Sequence, residues 1–189
     1  MTIAEKSPPK KSGVVHQYCN NYKIWSVELE NLNFKIGKID GVTVMPVVKN
    51  IDERGWLSEL YRTDELDESI FPKMAYVSLT NPGVRRGPHE HKTQTDYFCF
   101  IGPSNFKIIL WDNRQSSKTY MNKTVLFFGE DKPSSIVVPP GVVHAYKNIG
   151  LTAGIVINAA NVLYAGYKKQ EPVDEIRYEN DAETIFKFD

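Results

Sequence analysis

The sequence has little cysteine, no surplus of either charge and no long apolar run, and each shortage removes a class of protein. Two cysteines, Cys19 and Cys99, among 189 residues are too few for a disulfide scaffold and point to a reducing, cytoplasmic setting. The 23 basic and 23 acidic side chains cancel, which argues against broad nucleic-acid binding while leaving room for a local basic pocket. No apolar stretch approaches the ~20 residues that span a bilayer, so a soluble protein with no membrane partner is expected. The opening MTIAEKSPPKK carries lysines without the apolar stretch of a secretory signal. What is present is globular in kind: 41% hydrophobic and 24% charged residues, in a length suited to one domain.

Along the chain, residues 1–11 are polar, and residues 14–36 are mixed and weakly patterned. We therefore expect a tail and arm over 1–36 and a folded domain over 37–189. From Val42 onward, short β-branched and aromatic runs alternate with Gly, Pro, Asn and Asp punctuation. The runs predict strands near 42–48, 56–61, 74–80, 95–100, 105–112, 123–128, 135–138, 144–148 and 153–159. The stretch 63–70, TDELDESI, predicts a short helix after a Thr63 cap. Eight or nine short strands with few helices define an all-β fold: a sandwich, jelly roll or barrel.

Three of the four histidines fall in two turn-anchored segments; His16 lies in the arm and is read as structural. The first segment runs from Gly83 through Arg85, Arg86, Gly87, His89 and His91 to Asp96 and Gly102. The second holds Pro139, Gly141, His144 and Asn148. In a strand, positions i and i+2 share a face, so His89 and His91 project together. Both segments resemble the paired motifs of the cupins, the first with aspartate in place of glutamate and one residue fewer before its last glycine. That resemblance implies a cupin-type jelly-roll β-sandwich or barrel.

A narrower resemblance surrounds the histidines. Asp52-Glu53-Arg54-Gly55 through Glu59, Gly83 through His89, Leu110 through Arg114, Pro140 through Tyr146, and Ile176 through Asp181 resemble, in order, segments of the dTDP-4-dehydrorhamnose 3,5-epimerase family. The resemblance implies an isomerase or epimerase of a nucleotide-linked 4-keto-6-deoxy sugar, serving polysaccharide or deoxysugar biosynthesis without a cofactor, as a homodimer. It implies His89 as the base, Arg54 and Arg86 on the nucleotide phosphates, and Glu59, His91 and His144 as further substrate contacts. Such a reaction needs a neutral base near pKa 7, a donor for the enolate oxygen and an acid on the opposite face.

The chain also departs from the family pattern. Asn158 stands where the family places its acid tyrosine, which leaves Tyr164 or Tyr167 as the candidate acid and Asn158 as an enolate hydrogen-bond donor. The lysine expected near Thr95-Asp96 is absent, and the family's histidine-orienting aspartate is not found beyond Asp181. Other readings stay open. The run His89-Glu90-His91-Lys92 resembles the dTDP-sugar 3,4-ketoisomerases. His89, His91, Asp96 and His144 also form a chemically sensible ligand set for a metallocupin. A non-catalytic nucleotide-sugar-binding cupin is the remaining class. Since phosphate-type arginines disfavour a nearby cation and a base needs its lone pair, the expectation is no metal.

Overall fold

The computed structural model describes residues 34–189, so the tail and most of the expected arm lie outside the described residues. The strands are β1 (Lys35–Ile36), β2 (Thr43–Pro46), β3 (Asn50–Asp52), β4 (Gly55–Leu57), β5 (Met74–Thr80), β6 (Arg85–Glu90), β7 (Asp96–Gly102), β8 (Asn105–Asp112), β9 (Asn122–Gly129), β10 (Ser134–Val138), β11 (Val142–Asn148), β12 (Gly154–Ala160) and β13 (Ile176–Arg177). They form a six-stranded sheet in the order β1-β9-β8-β11-β6-β13, a five-stranded sheet in the order β2-β10-β7-β12-β5, and a small β3-β4 hairpin. This is the expected jelly roll.

Period-two alternation explains how the sheets pack. On β8, Phe106, Ile108 and Leu110 point into the sandwich, where they meet Phe98 and Phe100 of β7 and Ile136 and Val138 of β10. The other face of β8 carries Ile109 and Trp111, covered from outside by Phe186 and Phe188 of the C-terminal segment. Tyr97 and Cys99 face outward from β7 and are roofed by Leu60, Leu66 and Ile70. Both sheets are thus apolar on two faces over much of their extent, which is why their strands read as near-continuous hydrophobic runs.

Three expectations need correction. The strand expected near 56–61 is only the three residues Gly55–Leu57. The helix over 63–70 shrinks to one 3₁₀ turn, Glu68–Ile70, capped by the side chain of Asp67 rather than by Thr63. Three residues cannot close a stable α-helical turn, and aspartate accepts the Ser69 N–H at 2.9 Å. Strand β6 was absent from the expected apolar runs, because Arg85-Arg86-Gly87-Pro88-His89-Glu90 has no apolar alternation, although His89 and His91 were read as strand positions; its pairing with β11 and β13 makes it a strand.

Candidate functional site

The site begins where β6 meets β11. These strands run antiparallel with His89 opposite His144, and the register slips between His144 and Tyr146. Gly87 adopts φ +78°, and a Cβ there would stand 2.5 Å from the His144 carbonyl oxygen. Only glycine lets the strands approach this closely. The His89 and His144 ring centroids are consequently 4.3 Å apart, with His91 at 5.8 Å from each.

Asp96, at the start of β7 and 1% exposed, is the hub of the buried polar groups. Its Oδ1 accepts from Gln94 Nε2 and from Asn158 Nδ2, both at 2.7 Å. Its Oδ2 lies 3.3 Å from His91 Nε2 and 3.3 Å from His144 Nε2. Burial alone would raise the Asp96 carboxyl, but the hydrogen bond from His91 and the nearby histidines outweigh it and hold it down to about 2. Burial likewise opposes charge on His91, yet Asp96 and the Asp174 carbonyl, which accepts from His91 Nδ1, push its pKa up to about 9. The two form a buried ion pair. His144 donates from Nδ1 to the Val142 carbonyl at 3.1 Å, and burial keeps it neutral. Its Nε2 approaches Asp96 outside hydrogen-bonding geometry and has no partner.

His89 is the third imidazole, and burial, then the neighbouring His144, force its pKa down to about 2. It is therefore neutral with a free lone pair, though further below 7 than a proton-abstracting base favours. Glu175 Oε1, 3.8 Å from His89 Nε2, is the anion placed to stabilise the ring once it gains a proton. Glu175 also pairs with Arg177 at 2.7 Å. Asp174 fixes this segment by accepting from the backbone N–H groups of Lys92, Thr93 and Gln94 at 2.8–3.0 Å.

These groups open into a cavity of about 960 Å³, ample for a ligand of nucleotide-sugar size. Its lining mixes five cationic side chains, Lys73, Arg85, Arg86, Lys169 and Arg177, with the carboxylates of Glu171, Asp174, Glu175 and Glu179. Of the residues expected to bind substrate, Arg86 and His91 line the cavity, and His144 is buried behind it. The Arg86 guanidinium is partly committed, donating to Thr80 Oγ1 at 3.1 Å and the Leu79 carbonyl at 3.0 Å. Arg54 and Glu59 are not brought to this cavity. Arg54 sits on the β3-β4 hairpin against Asp52, and Glu59 borders a separate shallow pocket beside Arg62. Tyr164 and Tyr167 do line the cavity, on the loop after β12, and are 51% and 67% exposed. Asn158 is 1% exposed and faces Asp96 rather than the open cavity: its Nδ2 also donates to Tyr76 Oη at 2.8 Å, and its Oδ1 accepts from Tyr97 N. Tyr76, Gln94, Asp174 and Glu175 were missed. The last two precede the Ile176–Asp181 segment, not follow it.

Comparison with known proteins decides what this arrangement belongs to. The model of the dTDP-4-dehydrorhamnose 3,5-epimerase family matches residues 37–180. The chain belongs to that family. Among this family's relatives it is 35% identical, over 78% of its own length and 93% of the other's, to the spore coat polysaccharide biosynthesis protein SpsL of Bacillus subtilis. It is 34% identical, over 67% and 81%, to the probable low-salt glycan biosynthesis epimerase Agl13 of Haloferax volcanii. Solved structures share the fold, two of them as follows. A dTDP sugar isomerase from Desulfovibrio desulfuricans superposes with a TM-score of 0.66 at 21% identity, over 76% of this chain and 87% of that one. The 3'-monoepimerase ChmJ of Streptomyces bikiniensis gives 0.63 at 18%, over 76% and 72%. A sugar-nucleotide epimerase is the activity class that family membership carries. Among the described residues no helix is long and apolar enough to cross a membrane.

The epimerase-type site could also be asked to hold a metal, since ligand atoms of His89, His91 and His144 lie within 4.8 Å of one another. His91 fits this poorly. Its Nε2 is turned to the Asp96 carboxylate at 3.3 Å and its Nδ1 to the Asp174 carbonyl, so both nitrogens are committed to protein groups in this arrangement.

Proposed function

We propose that the protein epimerises a nucleotide-linked, dTDP-type 4-keto-6-deoxy sugar at carbon adjacent to the ketone, without metal or organic cofactor. The observation that carries this reading is the neutral His89 imidazole, backed by Glu175 at 3.8 Å, at a cavity whose lining includes lysines and arginines beside its carboxylates. His89 removes the proton α to the ketone, and Glu175 stabilises the imidazolium that results. The protonated His91 supplies a fixed positive charge close by, which favours a developing enolate. Lys73, Arg85, Lys169 and Arg177 suit a diphosphate. Relatives support the substrate class: ChmJ was solved with dTDP-quinovose, and SpsL and Agl13 carry polysaccharide and glycan biosynthesis in their names.

The test is incubation with dTDP-4-keto-6-deoxyglucose in deuterated water. Deuterium entering at C3, C5 or both, with an inverted product, is the expected result. A product whose ketone has moved from C4 to C3 would favour the ketoisomerase reading, which the His89-His91 pair also suits. Dialysis against a strong chelator should leave the rate unchanged; loss restored by Mn(II), Fe(II), Ni(II) or Zn(II) would make the histidines ligands.

We further propose a homodimer in the cytoplasm. On β5 the apolar residues point outward, with Val77 66% and Leu79 60% exposed, and the hairpin exposes Ile51, Trp56 and Leu57. A second copy would cover such surfaces. Sedimentation equilibrium at micromolar concentration should show twice the chain mass; a monomer would refute the assembly.

A further inference from the structure

Building on the proposed epimerase reading, we infer that Tyr76 is the proton donor that completes inversion, acting from the sheet opposite His89. Inversion requires that the proton leave one face of the carbon and return on the other, so base and acid must stand on different walls. His89 belongs to β6 of the six-stranded sheet, whereas Tyr76 belongs to β5 at the edge of the five-stranded sheet. Both line the same cavity.

Tyr76 is held in place as a donor must be. It lies directly opposite Asn158 in the β5-β12 ladder, and Asn158 Nδ2 donates to its oxygen at 2.8 Å. Because the phenol oxygen accepts that bond, its own O–H is left to point elsewhere, and the cavity is where the side chain is open. The same Asn158 amide is anchored by Asp96 and Tyr97, so the phenol inherits the rigidity of the buried hub. Tyr76 is 45% exposed; desolvation of its covered side, with Asp96 next, pushes its pKa up to about 12, and the group stays protonated through the working pH range.

The other tyrosines of the cavity fit less well. Tyr146 is on β11, in the same sheet as His89, and its hydroxyl is engaged with Ser78 Oγ at 3.0 Å. Tyr164 and Tyr167 ride on a surface loop, and no hydrogen bond among the described residues fixes either hydroxyl.

The proton balance is simple. The substrate C–H bond breaks, its proton goes to a His89 nitrogen, and its electron pair becomes the enolate double bond as the ketone oxygen takes negative charge. The Tyr76 O–H then breaks as a new C–H forms on the opposite face and the carbonyl is restored. Solvent takes the proton from His89 and returns one to the phenolate, so no oxidant or reductant is needed.

Tyr76→Phe separates the two half-steps. With dTDP-4-keto-6-deoxyglucose in deuterated water, we expect exchange α to the ketone to persist while inverted product forms at least ~100-fold more slowly. Tyr120→Phe, outside the cavity, should retain inversion. Inversion by Tyr76→Phe within about threefold of wild type would overturn the assignment. A wild-type enzyme that neither exchanges nor inverts would instead bring down the epimerase reading, and this assignment with it. Should phenylalanine at 76 disturb folding, 3,5-difluorotyrosine at that position tests the same point with a nearly isosteric, more acidic phenol. It should bring into the accessible pH range an alkaline fall in inversion rate that the native phenol does not show, and an unchanged profile would refute the role.

Discussion

Two buried aspartates on neighbouring stretches of chain, Asp112 at the end of β8 and Asp96 at the start of β7, show how differently one residue type can be used. Both are essentially inaccessible, at 0% and 1% exposure, and both carboxyls are held down to about 2 against the effect of burial. Asp112 takes all its partners from the next seven residues: Arg114 through N, Nε and Nη2, Ser117 Oγ and Thr119 Oγ1, at 2.6–3.2 Å. None of these groups lines the large cavity. Asp96 gathers Gln94 and His91 from nearby chain, but also His144 and Asn158 from distant strands, and the histidines about it keep unpaired nitrogens. A locally satisfied carboxylate secures a loop. A carboxylate assembled from remote strands, with spare hydrogen-bonding capacity around it, marks the place where chemistry can be done.

The sharpest test of that contrast lies beside the Asp96 hub. His89→Asn should lower kcat/KM by about 10³-fold or more, near 4 kcal/mol, with an unchanged melting temperature; solvent exchange retained at more than a few per cent would refute the base assignment. Asp96→Asn comes next. Without its counter-ion His91 should lose its charge at neutral pH, and turnover should fall by roughly 10²-fold; activity within threefold of wild type would show the ion pair to be structural only.

Asp112→Asn should do the reverse, costing about 2 kcal/mol of stability while leaving kcat of the folded enzyme intact. Its folded pKa is depressed, so its contribution is present above the unfolded value of 3.8 and is lost as pH falls toward 2. Acid melts of the variant should lack that decline. The last comparison concerns His91. Its raised pKa means the stabilisation is full below its ordinary value of 6.5 and is lost as pH rises through about 9. Wild type should therefore lose about 3 kcal/mol across that window, and His91→Gln should flatten the loss. A parallel slope in both proteins would dissolve the ion pair.

Much of this was legible beforehand, for physical reasons. Strand β5 was expected over the residues it occupies, and β8 likewise, because clean runs bounded by turn residues leave few alternatives. His89, His91, Asp96 and His144 were identified from motif spacing, and they do converge. Strand β6 was absent from the apolar runs because its conformation is imposed by neighbours rather than by propensity. Glu175 and Asp174 escaped because they reach the histidines from over 80 residues away with no motif to announce them. Tyr76 did leave a trace. On β5 it is Ser78 and Thr80 that face inward, while Val77 and Leu79 are exposed, the inverse of ordinary sheet patterning. That inversion signals a strand lining a polar cavity.

Gly87 performs no chemistry, yet it limits how the site can change through mutation. Any other side chain must adopt φ +78° and place a carbon 2.5 Å from the His144 carbonyl oxygen. Residues such as Tyr164, on an open loop, have neighbours in sequence space that fold equally well, so selection can explore them one codon at a time. No such path leads through Gly87. Divergence of specificity in this enzyme must therefore proceed around the β6-β11 contact, by altering the cavity's opposite wall and its loops.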